Sequence, residues 1–166
     1  FLKIVTAFIP TALVGYFLYP YVHSLFDSYY VIAAALIFGG ALIYYIERRT
    51  DEGLDTISYR QALVIGFLQS IAIVPGVSRS LATIFGGRIV GLTRRGAVVF
   101  SFLLAVPTIF AASAYEYMKN YQIINQHINV LIVGFLVSFI TAYVVIKWLM
   151  EYINTKDLKI FGAYRI

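Results

Sequence analysis

The sequence predicts an all-α fold, a polytopic bundle of transmembrane helices that includes a re-entrant helical hairpin. Of its 166 residues, 61% are hydrophobic and 13% are charged, whereas soluble domains average about 45–50% apolar and about 25% charged residues. Several apolar runs have about the length of a bilayer span. One further run is too long for a single tilted helix and is broken near its centre by Pro75-Gly76.

Five apolar runs, separated by polar segments, set the expected order of the helices. The runs cover about residues 4–22, 31–46, 61–91, 96–118 and 128–149. The first, fourth and fifth approach the roughly 20 residues that a spanning helix needs. The second reaches that length only if it includes Tyr29 and Tyr30. The polar segments at 47–60, 93–95, 119–127 and 151–159 are predicted to connect the helices.

Cysteine usage and the chain ends give two further expectations. The sequence contains no cysteine, which excludes disulfides, thiol nucleophiles and cysteine-based metal sites. It starts at Phe1 without Met or a cleavable signal pattern, and it stops at Ile166 within what looks like an element. We therefore expect one integral membrane domain covering residues 1–166, as a fragment of a longer chain.

The run at 61–91 either crosses the membrane as a kinked span or enters it and returns on the same side. Cytoplasmic loops carry an excess of Lys and Arg, so the distribution of these residues distinguishes the two topologies. If the run re-enters, 11 of the 13 Lys and Arg residues share one side, Lys119 lies opposite and Arg79 lies in the membrane. If it spans, the two sides carry five and seven. The stronger bias favours a re-entrant hairpin, with both termini in the cytoplasm.

The tip of this hairpin combines a helix break with an intramembrane arginine. Pro75-Gly76 ends the first half-helix, because Pro lacks an N–H donor and Gly adopts dihedral angles that other residues avoid. Ser78 is predicted to be the N-cap of the second half-helix. The free N–H groups and the positive end of that half-helix then point into a cavity, where an anion is stabilised. Charged residues inside membranes are rare and mark functional sites, so Arg79 is the leading candidate.

A phosphate-type anion is the predicted ligand of this tip. The guanidinium of Arg79 is a planar donor fork that matches phosphate oxygens. Ser80 lies in the same first turn and Thr83 follows three residues later, so these side chains are expected to face one way. Gly76 and Gln69 are further candidate contacts with the substrate.

Structural explanations compete with these functional ones. Arg79 alone could snorkel or pair with a backbone carbonyl, although the neighbouring helix break and hydroxyls favour the anion site. Gln69 serves equally well as a hydrogen-bond partner between helices. Several glycines in the apolar runs are interpreted as close-packing points rather than catalytic features; they are Gly39, Gly40, Gly86, Gly87 and Gly134.

The residues around the tip also resemble a known family. The pattern G-x-x-Q-x-x-A-x-x-P-G-x-S-R-S-x-A-T at 66–83 closely resembles the second signature of the undecaprenyl-pyrophosphate phosphatases of the bacitracin-resistance type. The similarity continues at 9–15, 100–107 and 161–165 and so covers nearly the whole chain. Leu81 departs from the pattern, since members usually carry glycine there.

This resemblance implies an integral membrane hydrolase of the bacterial inner (plasma) membrane. Such an enzyme removes the terminal phosphate of a C55 isoprenyl pyrophosphate and recycles the lipid carrier for peptidoglycan synthesis. The family fold has inverted repeats with two re-entrant hairpins that meet in a pocket, and this chain would supply one half. Arg79 matches the family's phosphate-binding arginine, and Ser78 and Thr83 match hydroxyls of the same site. The implied partners are the lipid substrate and the membrane, not nucleic acid. The resemblance is also compatible with a homodimer.

One family signature does not occur in this sequence. It is a glutamate-rich E-x-x-x-E stretch followed by Ser and His, and it is absent from residues 1–166. Phosphoanhydride cleavage uses an activated water and often a divalent cation bound by carboxylates. The general base and most ligands of a Mg²⁺ or Ca²⁺ ion are therefore expected outside this chain, and none of its own residues is predicted to ligate metal. The chain on its own is expected to be inactive.

Two other kinds of function remain open from the sequence. A lipid-phosphate flippase or an anion transporter would use the same re-entrant arginine without chemistry, because paired re-entrant segments also occur in transporters. A structural membrane subunit would not need the arginine. An apolar residue in place of Arg79 should then improve stability without loss of function.

Overall fold

In the computed structural model, the described residues are 1–26, 28–48, 52–54 and 56–166. Arg49, one of the basic residues counted above, lies outside them, as do the side chains of Tyr19 and of residues 22–26. The described part consists of helices and connecting turns without a β-strand, which confirms the predicted all-α class. Its helices are α1 (Leu2–Phe26), α2 (Tyr29–Glu47), α3 (Tyr59–Ser70), α4 (Arg79–Ile89), α5 (Arg94–Gln126), α6 (Ile128–Thr155) and α7 (Lys159–Arg165), with a 3₁₀ turn at Ile71–Ile73.

The chain divides into two compact units, residues 1–108 with 157–166, and residues 109–156. The first unit contains α1 to α4, α7 and the N-terminal part of α5. The second contains the remainder of α5 together with α6. The expectation of one integral membrane domain stays a prediction. The first unit has a buried apolar cluster formed by Ala7, Ile57, Ala62, Ile65, Leu92, Ala97 and Leu104.

Three of the described helices are long and apolar enough to cross a membrane. They are α2 with 19 residues, α5 with 33 and α6 with 28. α2 starts at Tyr29, as its length requires. No residue in the most apolar stretch of α6 is buried within the structure, so α6 presents its apolar side chains outward. Such a surface is unfavourable in water and suits the hydrocarbon core of a bilayer.

Residues 59–89 form a helical hairpin, with the two half-helices α3 and α4 packed against each other. α3 has 12 residues and α4 has 11, so at 1.5 Å per residue each is about 16–18 Å long, roughly half the thickness of the bilayer core. Ser58 and Gln61 form a capping box at the start of α3. Gln61 also donates from Nε2 to the carbonyl of Val90 at 2.8 Å, which joins the two ends of the hairpin at its base. The predicted hairpin is confirmed, and a kinked single span is excluded.

The glycines interpreted as packing points do allow close helix contacts, with one exception. A Cβ atom on Gly87 would lie 2.8 Å from Cβ of Ala97, and one on Gly39 would lie 2.9 Å from Cδ2 of Leu81. Gly40 and Gly86 also lie against neighbouring helices. The interpretation of Gly134 stays a prediction, because no heavy atom of the described residues comes within 4 Å of its added Cβ.

The polar segments at 119–127 and 151–159 do contain breaks between helices, but the breaks are shorter than the sequence predicts. α5 continues to Gln126 and α6 continues to Thr155. Within α5, the backbone leaves the helical region at Asn120 (φ −121°, ψ 23°). The side chain of Asn120 donates to the carbonyl and to the carboxylate of Glu116. α5 therefore consists of two helical stretches that meet at a kink at Asn120, inside the segment that the sequence predicts as a connection.

Candidate functional site

The hairpin turns at residues 74–78, where the backbone takes two left-handed conformations. Gly76 has φ +91° and Ser78 has φ +70°. The turn packs closely against α2, because a Cβ atom on Gly76 would lie 2.7 Å from the carbonyl oxygen of Ile32. Left-handed backbone at a residue other than Gly or Asn is uncommon and costs about 1–3 kcal/mol, and it occurs often at functional sites. The strain at Ser78 therefore marks this turn as a candidate site.

Ser78 is the N-cap of α4, as predicted. Its Oγ accepts a hydrogen bond from the backbone N–H of Leu81 at 3.4 Å, and it lies 3.2 Å from Oγ of Ser80. Arg79 is the first residue of α4. The backbone N–H groups of the first helical turn have no partner within the helix and carry the positive end of its dipole. An arginine and two hydroxyls thus surround a helix start that favours an anion.

Arg79 is half-buried and is held by two acceptors on other helices. Its Nη1 donates to Oε1 of Gln69 at 3.5 Å and to the carbonyl oxygen of Ser101 in α5 at 3.3 Å. Pairing of the arginine with a backbone carbonyl, one of the structural explanations considered from the sequence, is therefore observed. Both hydrogen bonds that Arg79 makes to described residues come from Nη1, so its Nη2 and Nε remain for a ligand. An anchored guanidinium of this kind is oriented before the anion arrives.

Gln69 is fixed by two threonines whose hydroxyl protons are already engaged. Gln69 is 1% exposed, and its Nε2 donates to Oγ1 of Thr11 at 2.8 Å and to Oγ1 of Thr108 at 3.3 Å. Thr11 donates its own proton to the carbonyl of Gly66, and Thr108 donates to that of Leu104. Each threonine can therefore only accept from the amide, which turns Oε1 of Gln69 towards Arg79. Gln69 is thus a link between helices, the second of its two predicted roles, and also orients the arginine.

Thr83 lies apart from the open face of the helix start. It is completely buried, and its Oγ1 lies 3.0 Å from the carbonyls of both Arg79 and Ser80 and 2.6 Å from Oγ of Ser101. Ser80, by contrast, is exposed. The structure therefore brings Ser78, Arg79 and Ser80 together, whereas the hydroxyl of Thr83 joins α4 to α5. A direct contact of Thr83 with phosphate stays a prediction.

Removing the hydroxyl of Thr83 should lower stability through its partner Ser101. We expect Thr83→Val to decrease the free energy of unfolding by about 0.5–2 kcal/mol, the usual size of a hydrogen bond between membrane helices, because the Ser101 hydroxyl loses a buried partner. In a Ser101→Ala background, where the partner hydroxyl is already absent, the same Thr83→Val change should cost clearly less, because the hydrogen bond between the two hydroxyls no longer exists to be lost. Thermal unfolding in detergent micelles measures both variants. An equal loss from Thr83→Val in both backgrounds would contradict the role of Thr83 as a link between helices.

Arg165 in α7 holds the turn from the other side. Its Nη2 donates to the carbonyl of Gly76, and also to that of Val77 at 3.3 Å. α7 packs against α2, where Gly39 leaves room for the arginine. A Cβ atom at Gly39 would lie only 2.7 Å from Nη2 of Arg165. The two carbonyls that follow the helix break therefore point to Arg165, away from the start of α4.

Comparison with known proteins identifies the family. The family described as bacitracin resistance protein BacA matches residues 1–166. The chain belongs to this BacA family. Curated relatives named undecaprenyl-diphosphatase come from Aquifex aeolicus (43% identical over 99% of this chain and 67% of the relative), Sulfurihydrogenibium sp. (45%, 99% and 68%) and Wolinella succinogenes (42%, 99% and 67%). The chain spans about two thirds of the length of these relatives. The resemblance inferred from the hairpin pattern is confirmed, and the chain is a multi-pass membrane protein.

The site of this BacA-family chain does not fit a divalent cation as it stands. In the described part of the chain, no three His, Asp or Glu side chains lie close enough together to hold a metal ion. The groups that contact Arg79 are an amide and a carbonyl, and their neighbours are hydroxyls. A divalent cation prefers carboxylate oxygens and is repelled by a guanidinium. These residues suit the anionic part of a substrate rather than a metal.

Four contributors to this BacA-family site were missed by the sequence reasoning. Thr11, Ser101 and Thr108 are single polar residues within apolar runs. The rule that flagged Arg79, that polar groups inside a membrane are costly and functional, would also have flagged them. Arg165 follows a charged segment, so its charge did not stand out, and its place in the family-like stretch at 161–165 gave no hint of its partners, which are backbone carbonyls far away in sequence.

Proposed function

We propose that this chain forms the phosphate-binding part of an undecaprenyl-diphosphatase. The enzyme hydrolyses the terminal phosphate of undecaprenyl diphosphate, a C55 isoprenyl pyrophosphate, and so recycles the lipid carrier of peptidoglycan synthesis. The observation that carries this proposal is the position of Arg79 at the start of α4, with Nη1 held by Gln69 and Ser101. A fixed guanidinium beside a helix N-terminus is suited to the charge of a diphosphate.

The residues of the tip stabilise the negative charge that develops during phosphoryl transfer. In hydrolysis, water attacks phosphorus in line with the leaving oxygen, and the negative charge is spread over the phosphoryl oxygens. We assign to these oxygens the remaining N–H donors of the Arg79 side chain and the backbone N–H groups of Arg79 and Ser80, because the N–H of Leu81 is already donated to Ser78. The hydroxyls of Ser78 and Ser80 are the further donors. Because the helix start is organised in advance, it stabilises the transition state without reorganising.

The remaining catalytic groups are proposed to come from elsewhere in the protein. The tip offers neither a carboxylate nor a histidine among its described residues. We propose that the general base, and the carboxylate ligands of a Mg²⁺ or Ca²⁺ ion, lie in parts of the relatives' length with which this chain does not align. We further place the protein in the bacterial inner membrane and propose a homodimer as its assembly.

Phosphate release in detergent tests the proposal. We expect the full-length protein that carries this chain, purified in micelles, to release inorganic phosphate from undecaprenyl diphosphate. Transport has no meaning without two compartments, so release separates a hydrolase from a flippase or an anion transporter. A well-folded protein that binds the lipid diphosphate but releases no phosphate would overturn the proposal.

Gln69→Glu should weaken substrate binding, because it gives Arg79 a permanent counter-ion. One oxygen of the new carboxylate would lie about where Oε1 lies now, 3.5 Å from Nη1, while the other could no longer donate to Thr11 and Thr108 as the amide does, which leaves Arg79 as the favoured partner of the carboxylate. It would then compete with the phosphate for the same guanidinium. We expect the KM for undecaprenyl diphosphate to rise about tenfold or more, which is about 1.4 kcal/mol. The same change at Gln122, an exposed residue of α5, is the matched control and should leave the KM unchanged. An unaltered KM in Gln69→Glu would contradict the role of Gln69 in orienting Arg79.

A further inference from the structure

We propose that an apolar groove beside the hairpin tip binds the part of the substrate's isoprenyl chain nearest to the diphosphate. The inference rests on the proposed function and adds to it the place of the lipid chain. The groove is a cavity of about 400 Å³ between α1 and the turn that follows α3. Its walls are formed by Val14, Leu18 and Tyr21 of α1, and by Ile71, Ile73 and Val74.

Residues of both walls of this groove follow closely in the chain after the polar residues that hold Arg79 in place. On α1, Val14 and Leu18 follow Thr11 at spacings of three and seven residues, so all three lie on one face of the helix. Thr11 accepts the hydrogen bond from Gln69 that orients the arginine. On the other wall, the groove residue Ser70 directly follows Gln69 in the chain. The groove therefore lies within about one helical turn of Thr11 and Gln69, the residues that orient the arginine, and we assign it to the chain of an amphiphile whose anionic head is at Arg79.

The lining has the chemistry of a lipid site. Its exposed surface is almost entirely apolar, and the hydroxyl of Ser70 is already donated to the carbonyl of Gly66 at 3.1 Å. Leu18 is 44% exposed and Ile71 is 53% exposed, so the groove is open along one side. A lipid chain can therefore enter from the bilayer without passing through water.

The size of the groove, together with binding of the diphosphate head group at Arg79, favours the isoprenyl chain of the substrate over other lipids. A volume of about 400 Å³ lies within the range of about 300–1,000 Å³ for ligand pockets. It suits the first units of a long chain rather than the whole of it. A chain whose diphosphate is bound at Arg79 reaches the groove at a high effective concentration. Ordinary membrane lipids lack that anchor, so we assign the groove to the isoprenyl chain of the substrate.

Filling the groove tests this assignment in the full-length protein. We expect Val14→Phe to lower kcat/KM for undecaprenyl diphosphate about tenfold, and to leave unchanged the inhibition constant of inorganic pyrophosphate, which carries the head alone. Leu13→Phe makes a similar change at the neighbouring residue, which is exposed and does not line the groove, and should leave both quantities unchanged. The inference is overturned if Val14→Phe leaves kcat/KM intact, or if it weakens pyrophosphate by the same factor. Absence of phosphate release by the unmutated protein would instead reject the proposed function itself.

A labelling experiment avoids substitutions, in case Val14→Phe does not fold. A farnesyl diphosphate with a photoreactive group at the end of its chain should label residues 14–21 or 71–74. Undecaprenyl diphosphate should displace the probe, and phosphatidylglycerol should not. Label elsewhere in the chain, or displacement by the phospholipid alone, would overturn the inference.

Discussion

Arg79→Ala in the full-length protein that carries this chain should lower the rate of phosphate release about 100- to 1,000-fold, the usual effect of removing one transition-state donor. The guanidinium connects three parts of the site. Nη1 is anchored on Gln69 and on the carbonyl of Ser101, and the other two nitrogens are the proposed donors to the phosphate. Alanine removes the charge and the donors, and it also leaves the acceptor of Gln69 without its partner.

Arg79→Lys is the sharper form of this experiment. Lysine keeps the charge but places all its donors on one nitrogen, so it cannot hold both the anchoring acceptors and the phosphate with the geometry of a fork. We expect it to recover no more than about a tenth of the activity. Arg95→Lys, at an exposed residue near the start of α5, is the matched control and should be as active as the original protein. Near-normal rates in Arg79→Lys would reject bidentate binding of phosphate, and improved stability with full activity in Arg79→Ala would indicate a structural subunit.

Gly76→Ala should destabilise the turn and reduce activity together. With φ at +91°, the residue lies where side chains are strained, at a cost of about 1–3 kcal/mol. The added Cβ would also lie 2.7 Å from the backbone oxygen of Ile32 and 3.0 Å from Cβ of Ala35. Because the obstructing oxygen is backbone, the turn itself has to move, and the start of α4 moves with it. We expect the melting temperature in micelles to fall by several degrees and phosphate release to fall at least tenfold at temperatures below melting, since displaced catalytic groups lose activity steeply.

Gly134→Ala provides the matched comparison for this prediction. The added methyl group meets no heavy atom of the described residues within 4 Å, and alanine is about 1 kcal/mol more favourable than glycine inside a helix. The melting temperature should therefore stay the same or rise. If both glycine variants melt at the same temperature, the close packing of the turn against α2 is not needed for stability.

The hairpin could be predicted from the sequence because its signals are local. Pro75-Gly76 breaks the helix, Ser78 caps the next one, and the lengths of the two halves follow from these positions. Arg79 stands out as a charge within an apolar run. Each inference needs only the physical chemistry of a few adjacent residues.

What the sequence could not show depends on contacts between distant segments. Nothing around Thr83 indicates that its hydroxyl is buried against Ser101 rather than open to a ligand. The orientation of Gln69 depends on two threonines from other helices, 58 and 39 residues away. Gly134 resembles the packing glycines in its surroundings, yet no described residue comes within 4 Å of an added Cβ there. Hydrophobic patterns predict which segments are buried in a membrane, but they do not identify the partners of individual polar atoms.

The groups that hold Arg79 in place have a consequence for enzymology. These groups are an amide, two threonine hydroxyls and a main-chain carbonyl, linked by hydrogen bonds. None of them gains or loses a proton between pH 5 and 9. The orientation of Arg79 for binding the diphosphate is therefore not expected to change with pH across that interval. Any bell-shaped rate profile of the enzyme reports the ionisation of the lipid's own phosphates or of the base that activates water, and it can be interpreted without a contribution from the arginine.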